Sequence, residues 1–175
     1  MAVDADGDFV VAWVDRRADG DGAGIFAQRF DSSGAPAGTE FQVNTETYYN
    51  QEYPKVGMDA AGGFVVTWQS TYQDGSEYSV FAQRFDSSGA PAGTEFAVNT
   101  YTTSYQRRAD IAVEPDGDFI ITWDSFNQDG DHHGIFAQRF DNTGAKFEVE
   151  FQVNTFTKEG QYRPAVSVDA DGDVV

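Results

Sequence analysis

The sequence predicts an all-β fold built from repeated four-stranded antiparallel units. The chain length of 175 residues equals three repeats of 55 residues plus ten. Trp13, Trp68 and Trp123 follow this spacing, and several phenylalanine and asparagine positions do the same. Each repeat contains four short apolar segments separated by turn residues, and no stretch has a 3.6-residue helical period. Four strands in a repeat of about 50 residues are the pattern of a β-propeller blade.

The repeats divide the chain into three predicted blades. They occupy residues 1–55, 56–110 and 111–165, and residues 166–175 begin a fourth repeat that we expect to supply a closing strand. A β-sandwich does not explain an unbroken period of 55 residues. A β-solenoid or a string of small sheets remains as the alternative architecture.

The first two strands of each repeat differ in their apolar pattern. Strand A is short, is apolar at alternate positions and ends in a Gly/Asp turn. Its copies are 53–59, 108–114 and 163–169. Strand B is β-branched and aromatic on both faces, which predicts a strand buried on both sides of its sheet. Its copies are 9–13, 64–68 and 119–123.

The last two strands complete the predicted blade. Strand C carries a Phe-Ala-Gln-Arg-Phe core and is expected at 25–30, 80–85 and 135–140. Strand D begins at Glu40 and at its equivalents Glu95 and Glu150. Phe41 and Val43 lie on one side of strand D and polar residues lie on the other, which is typical of an outer, half-exposed strand.

Composition excludes several classes of partner. The chain has 11 Lys and Arg against 29 Asp and Glu, a net charge of −18, so we expect neither nucleic acid nor an anionic membrane surface to bind. There is no cysteine, hence no disulfide framework and no thiolate site. No apolar run approaches about 18 residues, so no membrane insertion is expected. The chain shows no signal peptide, and a signal for export would lie outside it.

Several strings of the third repeat resemble known repeats. They are Asp-Gly-Asp-Phe-Ile-Ile-Thr-Trp at 116–123, Gly-Ile-Phe-Ala-Gln-Arg-Phe-Asp at 134–141 and Glu-Phe-Gln-Val-Asn-Thr at 150–155. They resemble the tandem repeats of large secreted bacterial surface proteins and, more distantly, sialidase-type propeller blades. The resemblance implies an extracellular or cell-surface propeller without an assigned activity. No set of three arginines with a Tyr/Glu pair breaks the repeat, so the sialidase likeness implies no catalysis.

Three blades lead to an expectation about assembly, because propellers usually close with four to eight blades. We expect two chains to form a homodimer that closes head to tail into a six-bladed ring. Residues 166–175 duplicate residues 1–10. The strand A before them is expected to dock into the first blade of the next chain. The alternative is a piece excised from a longer array.

Tyrosines mark one face of the predicted propeller. The loops between strands B and C and between strands D and A emerge on the same face, and all eight tyrosines lie in or beside them. This pattern is typical of a recognition surface, although tyrosines that only brace the loops are the alternative. Glutamines recur there with the 55-residue period, either as loop supports or as ligand contacts. The candidate ligand-binding residues are Tyr48, Tyr49, Tyr53, Tyr72, Tyr101, Tyr105, Tyr162, Gln51, Gln106 and Gln161.

Acidic turns leave calcium as the one cofactor to consider. Carboxylates at alternate positions suit Ca²⁺, which prefers oxygen ligands. The candidate metal residues are Asp4, Asp6, Asp8, Asp116, Asp118, Asp169, Asp171 and Asp173. The second repeat lacks the pattern, and an Asp-Gly hairpin turn explains these residues without a metal.

Other charged residues are interpreted as structural. His132 and His133 are adjacent on an extended loop and should point apart, which argues against a zinc site. Arg29, Arg84 and Arg139 are expected to pair with local carboxylates. The basic doublets at 16–17 and 107–108 are expected to be solvated, and the Asp-Gly pairs that begin at Asp19, Asp74 and Asp129 to form turns.

These observations favour recognition over catalysis. Enzymes built on repeats carry residues that break the repeat and converge, whereas here the breaks are scattered along the chain. We therefore expect that the protein is not an enzyme and that it binds a glycan or a protein through the tyrosine-rich face. A structural spacer, or a designed or excised fragment that self-assembles, is the main alternative, and a glycosidase remnant is a third.

Overall fold

The computed structural model describes residues 1–16, 20–169 and 172–175. Three four-stranded antiparallel sheets account for all regular structure in this part of the chain, which confirms the predicted fold class. Among the described residues, no helix has the length and apolar character needed to cross a lipid bilayer. The strands are β1 (Ala2–Val3), β2 (Phe9–Asp15), β3 (Gly24–Phe30), β4 (Phe41–Gln42), β5 (Gln51–Met58), β6 (Phe64–Thr71), β7 (Tyr78–Phe85), β8 (Phe96–Ala97), β9 (Gln106–Val113), β10 (Phe119–Phe126), β11 (His133–Phe140) and β12 (Lys146–Gln152).

Each sheet has the meander order expected of a propeller blade. Blade I consists of β1 to β4, blade II of β5 to β8 and blade III of β9 to β12, and each strand pairs with the next. Trp68 and Trp123, on the second strands of blades II and III, are fully buried. One apolar cluster joins blade I to blade II, and another joins blade II to blade III. Strand β6, which was predicted to be apolar on both faces, therefore contributes to both of these interfaces.

A trio of phenylalanines forms each junction between neighbouring blades. In blade II, Phe64 and Phe85 stack with centroids 4.9 Å apart, and Phe41 of blade I lies 5.3 Å from Phe85. In blade III, Phe119 and Phe140 stack with centroids 4.8 Å apart, and Phe96 of blade II lies 5.5 Å from Phe140. This repeated packing explains why phenylalanine recurs every 55 residues at these positions.

The strand C arginines also connect the blades. Arg29 donates to the carbonyl of Ser88, and Arg84 donates to the carbonyl of Thr143 at 2.7 Å. Each guanidinium thus reaches the turn of the following blade, whose carbonyl oxygens need donors. Within the described part of the chain, Arg29 and Arg84 thus bond to carbonyl groups instead of the expected local carboxylates, and the carboxylate whose charge acts on Arg84 is Asp141 of the following blade. Arg139 does pair with a carboxylate, that of Glu114, at 2.9 Å.

Blade III has a longer outer strand than the other two blades. Strand β12 begins at Lys146, which pairs with Phe140 in the ladder. The equivalent residues, Pro36 and Pro91, also pair with Phe30 and Phe85, but only as isolated bridges. Strands β4 and β8 therefore contain two residues each, whereas β12 contains seven.

The segment predicted as a further strand A, 163–169, forms no regular strand. Instead, Ser167 and Val175 exchange two backbone hydrogen bonds of 3.0 and 2.8 Å and close a hairpin. Val168 packs against Ala112 of β9. One repeat earlier, Val113 lies against Gly57 of β5, where an added Cβ would come within 2.5 Å of Val113 Cγ2. The hairpin therefore stacks on blade III as β9 stacks on blade II.

We expect Glu148→Gly to stabilise the protein. Glu148 has a φ of 54°, whereas Gly38 and Gly93 occupy the equivalent positions at 97° and 100°. A non-glycine residue with this backbone costs free energy, so the substitution should raise the free energy of unfolding by about 0.5–1 kcal/mol. Urea denaturation measures the change. Glu148→Ala is the control, because alanine keeps the strain, and an equal gain from both variants would contradict the explanation.

Candidate functional site

Each first strand of a full blade contains a bulge at the same position. The ladder of β5 and β6 shifts between Glu52 and Lys55, and the ladder of β9 and β10 shifts in the same way. Tyr53, Arg108 and Arg163 occupy equivalent positions and have φ angles of 57°, 55° and 58°. Left-handed backbone at bulky residues is strained, and bulges turn side chains in new directions. The repeat thus presents one redirected side chain per copy.

These redirected residues line one cleft of about 450 Å³. Its lining comes from three consecutive repeats, and we call it the A-strand cleft. It consists of Tyr53, Pro54, Lys55, Arg108, Ala109, Arg163 and Pro164. Three of its side chains are cationic in a chain of net charge −18. Tyr53 is 61% exposed and offers an aromatic surface beside them.

A fully buried carboxylate lies behind the cleft. Asp124 is 0% exposed and has its Oδ2 3.2 Å from Arg107 Nε and its Oδ1 3.6 Å from Arg108 Nη1. Its Oδ1 also accepts the backbone N–H of Arg163 at 3.5 Å. The expectation that the doublet at 107–108 is solvated is therefore wrong, because a buried carboxylate requires cationic and hydrogen-bond partners.

His133 completes this buried network. Its Nδ1 lies 3.0 Å from Asp124 Oδ2, and its Nε2 lies 3.0 Å from Arg107 Nη2. Because arginine only donates, Nε2 must accept, which assigns the neutral ring with its proton on Nδ1. Burial lowers the pKa of His133 below its ordinary value, the charge of Asp124 opposes this, and Arg107 and Arg108 reinforce it. His132 is exposed, with its Nδ1 2.7 Å from Asp131 Oδ1, and the centroids of the His132 and His133 rings lie 6.4 and 5.0 Å from that of Phe126.

The network consists of residues that break the repeat. At the positions of Arg107, Asp124 and His133, the second repeat has Glu52, Gln69 and Tyr78. Sequence reasoning treated such breaks as scattered, and it missed this set. The strand register gives the signal: Asp124 is the ladder partner of Arg107, and β10 pairs with β11 so that its end meets His133.

The predicted tyrosines form several groups rather than one continuous patch. Tyr49 and Tyr72 meet edge to face at 5.3 Å, and Tyr78 and Tyr105 lie 5.6 Å apart. Tyr162 lies under the Arg108 guanidinium, 5.6 Å from its carbon, and therefore belongs beside the cleft. Tyr48 is highly exposed in the loop before β5, and Tyr101 is half-buried.

The three predicted glutamines bind the loops of the chain itself. Gln51 and Gln106 are fully buried, and their amide nitrogens donate to the carbonyls of Tyr48 and Thr103, both at 2.9 Å. Gln161 donates to the carbonyl of Lys158 at 3.1 Å. These amides hold the loop that precedes each first strand, so we place them outside the candidate ligand surface.

The acidic turns use their carboxylates to hold the backbone. Asp4 Oδ1 accepts the N–H groups of Asp6 and Asp8 at 3.0 and 2.9 Å, and Asp169 Oδ1 accepts that of Asp173 at 2.9 Å.

The third-repeat turn brings three acidic side chains together. Glu114, Asp116 and Asp118 have carboxylate oxygens within 4.8 Å of one another. Calcium binding at any of these turns stays a prediction. Arg17, Asp19 and Asp171 lie outside the described residues.

Solved structures share the fold at low sequence identity. An endo-arabinase from Bacteroides thetaiotaomicron aligns with 96% of this chain and 64% of its own, with 15% identity and a TM-score of 0.54. An α-L-arabinanase from Penicillium chrysogenum, complexed with arabinobiose, aligns with 95% of this chain and 47% of its own, with 15% identity and a TM-score of 0.60. This chain thus spans less than two thirds of either arabinanase.

A fucose lectin from Kordia zhangzhouensis, in complex with methyl-fucoside, aligns with 89% of this chain and 96% of its own, with 12% identity and a TM-score of 0.44. No family model and no curated protein matches the sequence.

The expectation that the protein is not an enzyme is corrected by these findings. Both arabinanases are enzymes that share its β-propeller fold, so the fold gives no ground for excluding catalysis. The argument also depended on scattered breaks in the repeat. Arg107, Asp124 and His133 instead converge in blade III, which is the pattern that was taken to be missing.

We expect Asp124→Gln to destabilise the protein strongly, because Arg107 and Arg108 lose their buried counter-charge. The free energy of unfolding should fall by about 3 kcal/mol or more. Adding Arg107→Glu and His133→Tyr installs the second-repeat residues at all three positions and should restore at least half of the loss, as coupled sites do. Urea denaturation measures each variant. Asp6→Gln is the exposed control, and a triple variant weaker than the single one would contradict the coupling.

Stability should fall as the pH drops below about 6.5, because unfolded His133 then binds a proton that the folded protein resists. The folded protein keeps its full stability above the unfolded-state pKa of His133, and it loses stability as the pH falls from there towards the lower pKa of His133 in the folded state. We expect the difference in unfolding free energy between pH 8 and pH 5.5 to shrink in His133→Tyr. His132→Gln is the control for the exposed neighbour. An unchanged difference in His133→Tyr would contradict this explanation.

Proposed function

We propose that the protein recognises carbohydrate at the A-strand cleft and the adjoining tyrosine loops. One observation carries the proposal: an exposed tyrosine, two arginines and a lysine from three consecutive repeats converge on a single cleft. Tyr162 extends the aromatic surface beside Arg108.

The chemistry of the cleft suits an acceptor-rich ligand. Arginine and lysine side chains donate hydrogen bonds and accept none, so they pair with hydroxyl, ether and carboxylate oxygens. Tyrosine rings provide flat apolar surfaces with a polar edge. Oligosaccharides offer both oxygens and C–H faces. The net charge of −18 repels extended polyanions, which favours a ligand whose oxygens are read locally.

Asp124 acts here as a positioning residue. It holds Arg107 and Arg108 from behind the cleft and faces the ligand through neither of its oxygens. Lys55 is fixed from the side by Asp110 at 3.1 Å. The donors are therefore oriented before a ligand arrives, which reduces the entropy lost on binding.

We infer an extracellular or cell-surface setting, which the likeness to bacterial surface repeats implies. A homodimer that closes a six-bladed ring would present the cleft twice, and weak sites would then gain by avidity. A protein ligand that offers carboxylates to the same cleft and a spacer role without any ligand are the alternatives, and both predict no sugar binding in the experiment below.

We expect millimolar or tighter binding of oligosaccharides in isothermal titration calorimetry. The panel includes neutral and uronic sugars, and arabinobiose because one arabinanase was solved with it. Arg108→Gln should weaken binding about tenfold, the effect of losing one charge-assisted hydrogen bond. Lys55→Gln tests the cleft independently. The Lys55 side chain is half exposed, so this variant should fold normally. Arg16→Gln is the control, with a side chain that is 81% exposed outside the cleft.

Absence of binding across the panel at millimolar sugar, with all variants folded, would contradict carbohydrate recognition and favour the spacer or the protein ligand. Binding that Arg16→Gln weakens as much as Arg108→Gln would contradict the assignment to the cleft. Analysing the same mixtures for shortened oligosaccharides reports whether binding leads to hydrolysis.

A further inference from the structure

The outward face of blade III exposes side chains that the other blades bury. Val43 and Val98 are 3% and 0% exposed at the junctions, whereas their equivalent Val153 is 50% exposed. Phe151, equivalent to the junction residues Phe41 and Phe96, is 47% exposed, and Phe147 beside it is 45% exposed. Phe147 and Phe151 line the same depression, and adjoining exposed apolar side chains of this kind mark an interaction surface.

The opposite face, on blade I, presents the matching half of the same junction. Phe9 and Phe30 stack with centroids 5.0 Å apart and an interplanar angle of 11°, as Phe64 and Phe85 do at 4.9 Å and 12°. Within the described residues, no third ring covers the pair Phe9–Phe30, and both rings are half-buried. At the internal junctions, the third ring is that of Phe41 or Phe96, and Phe151 is the equivalent residue of blade III.

Polar groups at the two faces match in the same way. At the internal junctions, Glu95 accepts the N–H of Thr45 and Glu150 accepts the N–H of Thr100, both at 2.6 Å. The next members of this series are Thr155 on the blade III side and Glu40 on the blade I side. The two faces therefore share both the apolar and the polar parts of one repeated junction.

We propose that a second copy of this chain docks head to tail on blade III. Phe151 packs over the Phe9–Phe30 pair of the second copy, and Glu40 of that copy accepts the N–H of Thr155. Two such contacts close two chains into a ring. This inference rests on the repeated junctions and is independent of the proposed carbohydrate site.

The hairpin on blade III provides the remaining strand of the contact. The first strands β5 and β9 contain eight residues, whereas β1 contains two. Residues 163–168 already lie against blade III, with Val166 donating to Asp110 Oδ2 at 3.1 Å and Val168 packed on Ala112. Residues 1–10 are identical to residues 166–175 at seven of ten positions. In the docked pair, residues 163–168 take the position beside β2 of the second copy. Residues 1–3 of that copy move aside, and so do Val174 and Val175, which occupy this position in the hairpin.

The mass in solution gives the first test. Multi-angle light scattering should report twice the chain mass of 19.2 kDa. Phe151→Glu should raise the dissociation constant at least tenfold, because it places a charge on the aromatic pair. Tyr48→Glu makes the same change at an exposed loop position and should leave the dimer intact. A single-chain mass for the folded protein, or equal sensitivity to both variants, would overturn the proposal.

The exchanged strand gives a second, matched comparison. Val168→Asp and Val3→Asp alter equivalent residues of the two duplicated segments. The first should weaken the dimer, because Val168 packs in the contact, and the second should not, because residues 1–3 are displaced. The reverse order of effects would overturn the strand exchange.

Cross-linking tests which faces meet. The chain has no cysteine, so Glu40→Cys with Thr155→Cys introduces the only thiols. A short bis-maleimide should convert this variant into covalent dimers. Thr45→Cys with Glu95→Cys calibrates the reagent, because the same junction lies within one chain and should yield a cross-linked monomer. Monomers alone from the first variant, or a ladder of higher multiples, would overturn the closed pair.

Discussion

The structure depends on the packing of each blade against a neighbour through both faces of its sheet. The second strands are apolar on both sides, so a single blade leaves a large apolar area in water. The phenylalanine trios, such as Phe41 with Phe64 and Phe85, bury part of this apolar area at each junction. The arginines of the third strands add a donor to the turn of the next blade. The 55-residue period therefore reflects the repeated contacts between blades as well as the repeated sheets.

The same stacking positions the candidate site. A bulge opposite each of the buried residues Trp68 and Trp123 turns one side chain of the first strand into the cleft. The strained backbone at Tyr53 and Arg108 is maintained because the surrounding ladder and the tryptophan packing fix it. The rigid sheets thus hold the long, flexible side chains of arginine and lysine in defined positions.

The sequence predicted the strands whose pattern comes from burial, and it failed where pairing decides. Strand B at 64–68 corresponds to Phe64–Thr71, and strand C at 80–85 to Tyr78–Phe85, because a hydrophobic run reports its own environment. The length of β12 was missed, because Lys146 and the equivalent prolines all pair with the third strand and only the continuity of the ladder differs. Arg107 and Asp124 are 17 residues apart in sequence, and only the register of two strands and a bulge brings them together. Charge patterns alone make such an arginine look solvated.

The buried charges of blade III are not required by the fold. Blade II builds the same strands and the same bulge with Glu52, Gln69 and Tyr78, so an uncharged residue at the position of Asp124 is compatible with this backbone. A buried ion pair loses hydration and is weak evidence for stability by itself. Yet Asp124 contacts both arginines of the doublet, and one of them lines the cleft. The charge is therefore best explained by the orientation that it imposes on Arg108, which links the blade whose residues break the repeat to the cationic cleft.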